Sequence, residues 1–294
     1  MKYKVTHNTT FSYSETVPVC QNLVHLTPRE GRRQTCRYHR LVIKPVPSYS
    51  SRRADYFGNP VQYFSIHEGH HRLSVTAVSK VSVTPAAWPR PDETPPWEDV
   101  VTKLAAQRTA HALETLQFTF DSPRVATSYE LLEYARASFP PGRPVLAAAI
   151  DLTARIHADF TYDPSATVVT TPLDEVFRLK RGVCQDLAQL EIGCLRSLGL
   201  AARYVSGYLL TQPPPGRPRL LGVDASHAWL AVYGGAAGWI DIDPTNNLLP
   251  STEHITLSWG RDYSDVCPIE GVFVGGGQHA MDVAVSVVPV ESRN

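Results

Sequence analysis

Three short segments of the chain carry the residue types of covalent thiol chemistry. In Arg181-Gly182-Val183-Cys184-Gln185-Asp186-Leu187-Ala188 a cysteine follows a glycine turn and opens a helical pattern. There its sulfur would face the unpaired N–H groups and the positive dipole end of the helix. That setting favours the thiolate, the form that acts as a nucleophile. The plainer reading is a small buried cysteine of the core. In Asp224-Ala225-Ser226-His227-Ala228-Trp229 a histidine opens a strand whose alternate residues are Trp229, Ala231 and Tyr233. Alone, it reads as a structural histidine. In Gly238-Trp239-Ile240-Asp241-Ile242-Asp243-Pro244-Thr245 an aspartate ends a strand before a proline. Alone, it is turn chemistry.

Taken together the segments say more. His227 and Asp243 fall on adjacent strands of one hairpin, where paired Cβ atoms approach to about 5 Å. Asp243 could then fix the imidazole tautomer and leave the other ring nitrogen to take the Cys184 proton. This is the nucleophile, base and orienter arrangement of thiol catalysis. Asp241 shares the strand parity of Asp243 and is the rival orienter; the strand-end position favours Asp243. Gln185, Asp186, Tyr208, Trp229 and Trp239 are candidates for supporting or pocket positions, as is Asp241.

The elements that must position these residues fall into two units. Residues 1–86 carry short β-rich runs, Tyr3 to Val5, Thr10 to Tyr13, Tyr38 to Ile43, Val61 to Ile66 and Leu73 to Val83, separated by turn chemistry such as Phe57-Gly58-Asn59-Pro60. They predict an antiparallel sandwich or small barrel. Residues 87–97 form a linker: five prolines lie between Pro85 and Pro96, which neither a helix nor a central strand accommodates. Residues 98–294 form the second unit. Its helices are expected at Val100 to Leu116, Ser128 to Ser138, Pro144 to Ala158, Pro172 to Leu179 and Gln185 to Leu198, the last stopped by Gly199. Strands follow at Ala202 to Leu210, Ala228 to Tyr233, Trp239 to Ile242, Gly271 to Val274 and Met281 to Val290, with Pro213 to Pro218 as a rigid surface loop. The fold class is α+β.

The run Arg181 to Ala188, then Ser206-Gly207-Tyr208, then Ser226-His227-Ala228-Trp229, then Trp239 through Asn246 resembles the transglutaminase-like core. The β-rich start resembles the N-terminal domain of bacterial transglutaminase-like proteins, and Gly260 to Pro268 resembles their end. The resemblance covers nearly the whole chain. It implies a papain-like core, with the cysteine at the start of a buried helix packed on an antiparallel sheet. It implies attack on an amide or ester carbonyl, a thioester intermediate, and release to water or an amine. Relatives often carry an aromatic residue and a histidine where this chain reads Asp186-Leu187-Ala188-Gln189, a difference in pocket lining. Hydrolysis is slightly favoured over amine transfer, because no segment marks a dedicated amine site. The alternative is a non-catalytic binding or assembly module on the same fold.

Composition narrows the field. The chain has 294 residues, with 28 Lys plus Arg against 28 Asp plus Glu. This balance gives no electrostatic case for nucleic acid or an anionic membrane. The start lacks the apolar region of a secretory leader and no run reaches membrane-span length, so the expected compartment is the cytoplasm. The five cysteines, Cys20, Cys36, Cys184, Cys194 and Cys267, form no C-x-x-C pair and no disulfide framework. His67-Glu68-Gly69-His70-His71 matches H-E-x-x-H, but it lies between two strand patterns and reads as a hairpin turn, not a zinc helix. Gly275-Gly276-Gly277 lacks the lysine of a phosphate loop, and no acidic calcium loop is present. No metal or cofactor is expected. The expected partner is a peptide, protein or small amide substrate.

Overall fold

A computed structural model describes residues 1–211 and 226–290; the Pro213 to Pro218 segment lies outside them. The first strand is continuous. Tyr3 to Val5 and Thr10 to Tyr13 are parts of β1 (Lys2–Val17), which alternates buried and exposed side chains along most of its length. It is followed by β2 (Val19–Val24), β3 (Gln34–Lys44), β4 (Tyr49–Ala54), β5 (Pro60–Ile66) and β6 (His70–Val83). The linker contains only a single 3-10 turn at Pro91–Glu93. Six helices follow: α1 (Trp97–Ala106), α2 (Ala110–Leu116), α3 (Tyr129–Arg136), α4 (Val145–Asp159), α5 (Leu173–Leu179) and α6 (Cys184–Ser197). Two two-residue strands, β7 (Thr161–Tyr162) and β8 (Arg181–Gly182), flank α5. The remaining strands are β9 (Ala202–Leu209), β10 (Ser226–Tyr233), β11 (Trp239–Ile242), β12 (His254–Gly260), β13 (Ile269–Val274) and β14 (His279–Pro289). Among the described residues no helix is long and apolar enough to cross a membrane.

Two four-stranded antiparallel sheets, ordered β14-β1-β6-β3 and β13-β2-β5-β4, share one apolar core. The C-terminal strands therefore belong with the first unit, where the sequence reading placed them in the second. β14 runs along β1 from Tyr3↔Pro289 to Tyr13↔His279, and β13 runs along β2. Pairing with β1 and β2 protects edges that would otherwise be open. The His67 to His71 segment joins β5 to β6, which lie in different sheets, so it is a crossing between sheets and not a hairpin.

A third sheet, β11-β10-β9-β12, is the platform of the α+β unit. On one face α6 packs Leu187, Leu190 and Leu195 against Leu230, Val232 and Ile242, with α4 outside it. Gln185 through Arg196 are all buried, so α6 is a core helix on every side. The helix expected over Val100 to Leu116 is two helices, because the Thr109 hydroxyl accepts from Ala112 N at 3.2 Å and caps a fresh start. Pro144 lies just ahead of α4. Gly199 takes φ +84°, the left-handed stop that glycine tolerates. Strands β2, β4 and β12 are additions to the sequence reading. Tyr208, Ile255 and Leu257 of the third sheet join the core of the sandwich, which ties the two units together.

Candidate active site

The approach to Cys184 is pinned before the helix begins. β7 pairs in parallel with β8, and Asp163 N donates to Gly182 O at 2.9 Å. Asp186 then reaches back one turn. Its Oδ2 accepts from Val183 N at 2.9 Å and from the Thr167 hydroxyl at 2.6 Å. Burial nevertheless holds its carboxyl above the usual range. A side chain at position 182 would collide with this carboxylate, which accounts for Gly182. Cys184 is therefore the first residue of α6, half-buried, with the N–H groups of the opening turn beside it.

His227 lies on β10 and Asp243 just past the end of β11. His227 Nε2 faces Asp243 Oδ2 at 2.7 Å, and Cys184 lies near enough to the same imidazole to favour its charged form. With Nε2 directed at the carboxylate, Nδ1 is the ring nitrogen left for proton exchange. Asp243 is fully buried and collects donors on both oxygens. Oδ1 accepts from the backbone N–H of Thr245 at 3.0 Å and of Asn246 at 3.2 Å. Oδ2 accepts from His227, from Asn246 Nδ2 at 2.7 Å and from His254 Nε2 at 3.0 Å. The backbone is held as well, since Asp243 and Leu248 form a bridge at 2.9 and 3.3 Å.

This donor set controls the charges. Burial pushes the Asp243 carboxyl up, but the bonds from His227 and His254, the charge on His227 and the Asn246 amide hold it well below the usual carboxylate range. Burial opposes charge on His227, but its bond to Asp243 and the nearness of Asp243 and Cys184 outweigh that and raise it to about 10. At neutral pH His227 is therefore an imidazolium facing the Asp243 carboxylate. His227, Asp243 and His254 also bring one donor atom each within 4.8 Å, a spacing seen in metal sites. Here Oδ2 sits at hydrogen-bond distance from both imidazoles.

The remaining sequence candidates are dispersed. Gln185 is buried and donates to Val169 O at 3.3 Å. Trp229 stacks on His227 at 6.0 Å and meets His254 edge-on at 5.1 Å. Its indole lies over Gly207, where any side chain would strike that ring and the Ile255 carbonyl. Tyr208 turns its hydroxyl to His7 at 3.0 Å, into the sandwich. Trp239 and Asp241 face the side of the sheet away from α6, and no hydrogen bond joins Asp241 to His227 among the described residues. His254 and Asn246 were missed by the sequence reading. The signal for His254 was the β-rich run His254-Ile255-Thr256-Leu257; Asn246 stood inside the turn that follows Asp243.

Residues 134–244 match the model of the transglutaminase-like superfamily, and residues 3–82 match the bacterial transglutaminase-like N-terminal region. An uncharacterized protein of Mycobacterium tuberculosis is 41% identical over 300 residues, covering 99% of this chain and 93% of the relative. A protein-glutamine gamma-glutamyltransferase of Pseudomonas aeruginosa is 30% identical over 132 residues, 44% of this chain and 19% of the relative. The crystal structure of a candidate cysteine protease from Cytophaga hutchinsonii superposes with a TM-score of 0.75 at 20% identity, over 99% of this chain and 92% of that one. The chain belongs to the transglutaminase-like superfamily, with a bacterial transglutaminase-like N-terminal region ahead of its core.

Proposed function

We propose that this protein is a thiol-dependent acyl-transfer enzyme acting on amide bonds, with Cys184 as nucleophile, His227 as acid and base, and Asp243 as orienter. The observation that carries the reading is an imidazole under the influence of Cys184 and hydrogen-bonded to a buried carboxylate with five donors. A core built only for packing needs neither the charge nor its compensation.

The chemistry follows from the charges. The Cys184 thiolate attacks the carbonyl carbon and a C–S bond forms. The oxyanion is held by the Cys184 N–H at the open end of α6. Collapse breaks the C–N bond, and the His227 imidazolium gives its proton to the departing amine. Water then attacks the thioester while neutral His227 takes its proton, the acid is released, and the thiolate and imidazolium are restored. Asp243 keeps its charge throughout and holds the ring in place. Half-exposed Cys184 leaves an approach for water, which supports hydrolysis. The second reading is transfer to an amine, supported by the glutamyltransferase named among the relatives.

The test measures iodoacetamide alkylation of each cysteine against pH by peptide mapping, in wild type and in His227→Ala. Cys36 and Cys267 are internal controls, since burial raises both thiols. Fast alkylation of Cys184 at neutral pH, slowed at least about tenfold without the imidazole, supports the relay. An alkylation rate indifferent to His227 defeats it. Glutamine-containing protein offered with and without a primary amine then separates ammonia release alone from amine incorporation. Cys184→Ala should abolish both.

A further inference from the structure

The face of the third sheet away from α6 opens into a cavity of about 1270 Å³ between that sheet, the linker and the sandwich. Its charged groups differ in how they are used. Arg29 donates through Nη1 to Asn59 Oδ1 at 2.7 Å. Arg33 donates through both terminal nitrogens to the carbonyls of Pro250 and Ser251, at 3.3 and 3.1 Å. His254 is committed to Asp243. Glu30, Arg32 and Glu114 lie exposed at the rim.

Arg203 and Asp241 are different. Neither side chain hydrogen-bonds or ion-pairs with any described residue, and Arg203 Nε is buried without a partner. Arg203 is nonetheless fixed in place. Its guanidinium lies 3.8 Å from the Trp259 ring centre and 4.4 Å from that of Trp239, clamped between two indoles. Stacking of this kind occupies the faces of the guanidinium and leaves its donor edge free for a planar acceptor. The strand register places Asp241 relative to it. Ala231 is the partner of Arg203 on one side and of Asp241 on the other. The two charges thus stand in one row on one face, with Cα atoms about 10 Å apart at ~4.8 Å per strand. Ala231 stands between them in the row.

We propose that this notch binds a small zwitterion of the amino-acid class, its carboxylate on the Arg203 fork and its ammonium on Asp241. A carboxylate meets a guanidinium edge through two parallel charge-assisted bonds, and the carboxylate of Asp241 receives an ammonium as a point charge. The electrostatics agree. Burial lowers Arg203 to about 9 against the pull of Asp241. Burial raises Asp241 against the pull of Arg203, Arg33 and His254. Among the described residues each ion lacks the direct partner that the ligand supplies. The proposal is independent of the thiol chemistry.

The test is calorimetric titration of the full chain with glycine, β-alanine, γ-aminobutyrate and 6-aminohexanoate, and with propionate and propylamine as single-charge controls. One chain length should bind with saturation and at least roughly tenfold more tightly than either control, the value of one charge-assisted contact. Asp241→Asn and Arg203→Lys should each weaken it by at least about tenfold, with thermal unfolding as the check on folding. If Arg203→Lys fails to fold, the length series and the near-isosteric Asp241→Asn decide. The absence of saturation with every zwitterion overturns the proposal. So does propionate binding as tightly as the zwitterions and indifferent to Asp241→Asn, which describes a simple anion site.

Discussion

Asp241 and Asp243 lie two residues apart with the same strand parity, and they lead opposite lives. Asp243 is fully buried, accepts five hydrogen bonds and is held below the usual carboxylate range. Asp241 accepts none from the described residues, and burial raises it. Strand parity sent both to the same face. What separates them is the chain that follows. Pro244 ends the strand, and the turn then brings two backbone N–H groups and the Asn246 amide onto Asp243, while β12 delivers His254 from across the sheet. A carboxylate becomes an orienter through its donors, and these come from the strand end.

The largest expected effect breaks this comparison directly. Asp243→Asn should lower kcat/KM on an amide substrate by roughly 10²–10⁴, as loss of the orienting carboxylate does in a catalytic triad. Asp241→Asn should fall short of that loss by at least about tenfold. Equal losses, measured side by side, would return Asp241 to contention as the orienter.

A smaller effect sharpens it. His254→Leu removes one of the five donors and leaves an apolar side chain in a buried site. Supporting partners of this kind are worth roughly 10–100-fold. With a less anchored Asp243, the His227 imidazolium loses part of what raises it to about 10. The alkaline limb of the pH–rate profile should therefore move to lower pH. A packing role alone would lower the rate and leave the limb in place.

The sequence was legible where the chemistry is local. A glycine turn into a helix announced Cys184, and one hairpin carried His227 and Asp243 on strands joined by five residues. The rest depends on contacts that leave no local mark. β14 pairs with β1 across nearly the whole chain, and no periodicity in Met281 to Val290 says which edge it will cover. β4 (Tyr49–Ala54) is a short edge strand rich in Ser and Arg, a composition that reads as loop. In β12 a bulge between Thr256 and Ser258 breaks the alternation that would have announced a strand, and His254 went unnoticed with it. The Arg203–Ala231–Asp241 row exists only in the register of three strands.

Stability against pH tests the same relay without a substrate. His227 is raised from 6.5 to about 10 in the folded protein. Its contribution is fully present below pH 6.5 and is lost as the pH rises towards 10. Asp243 is lowered from 3.8, so its contribution is present above that value and lost as the pH falls. The two describe one interaction seen from each partner and are not summed. His227→Gln should flatten the alkaline loss of thermal stability between pH 6.5 and 10; an unchanged slope would mean that other groups govern it.

Glu191 supplies the opposite limit, a carboxylate inside α6 with almost nothing to hold its charge. One oxygen accepts from Thr153 at 2.7 Å, and the other is buried without a partner. Burial raises it from 4.5 to about 8 despite that bond, with the Asp243 charge adding to the rise. The sign is the reverse of Asp243. Between pH 4.5 and 8 the folded state holds a proton that the unfolded chain has released, so stability falls as pH rises across that window. Glu191→Gln keeps the shape and the Thr153 contact and removes the titration. The variant should therefore show a smaller loss of melting temperature between pH 5 and 8, with activity within about twofold of wild type, since a change this conservative away from the reacting atoms carries little energy. A variant that melts like wild type at both pH values would show that the buried carboxyl is satisfied in a way its two oxygens do not reveal. A large loss of activity would instead extend the relay behind Asp243 into α6, and the contrast would become one among three carboxylates.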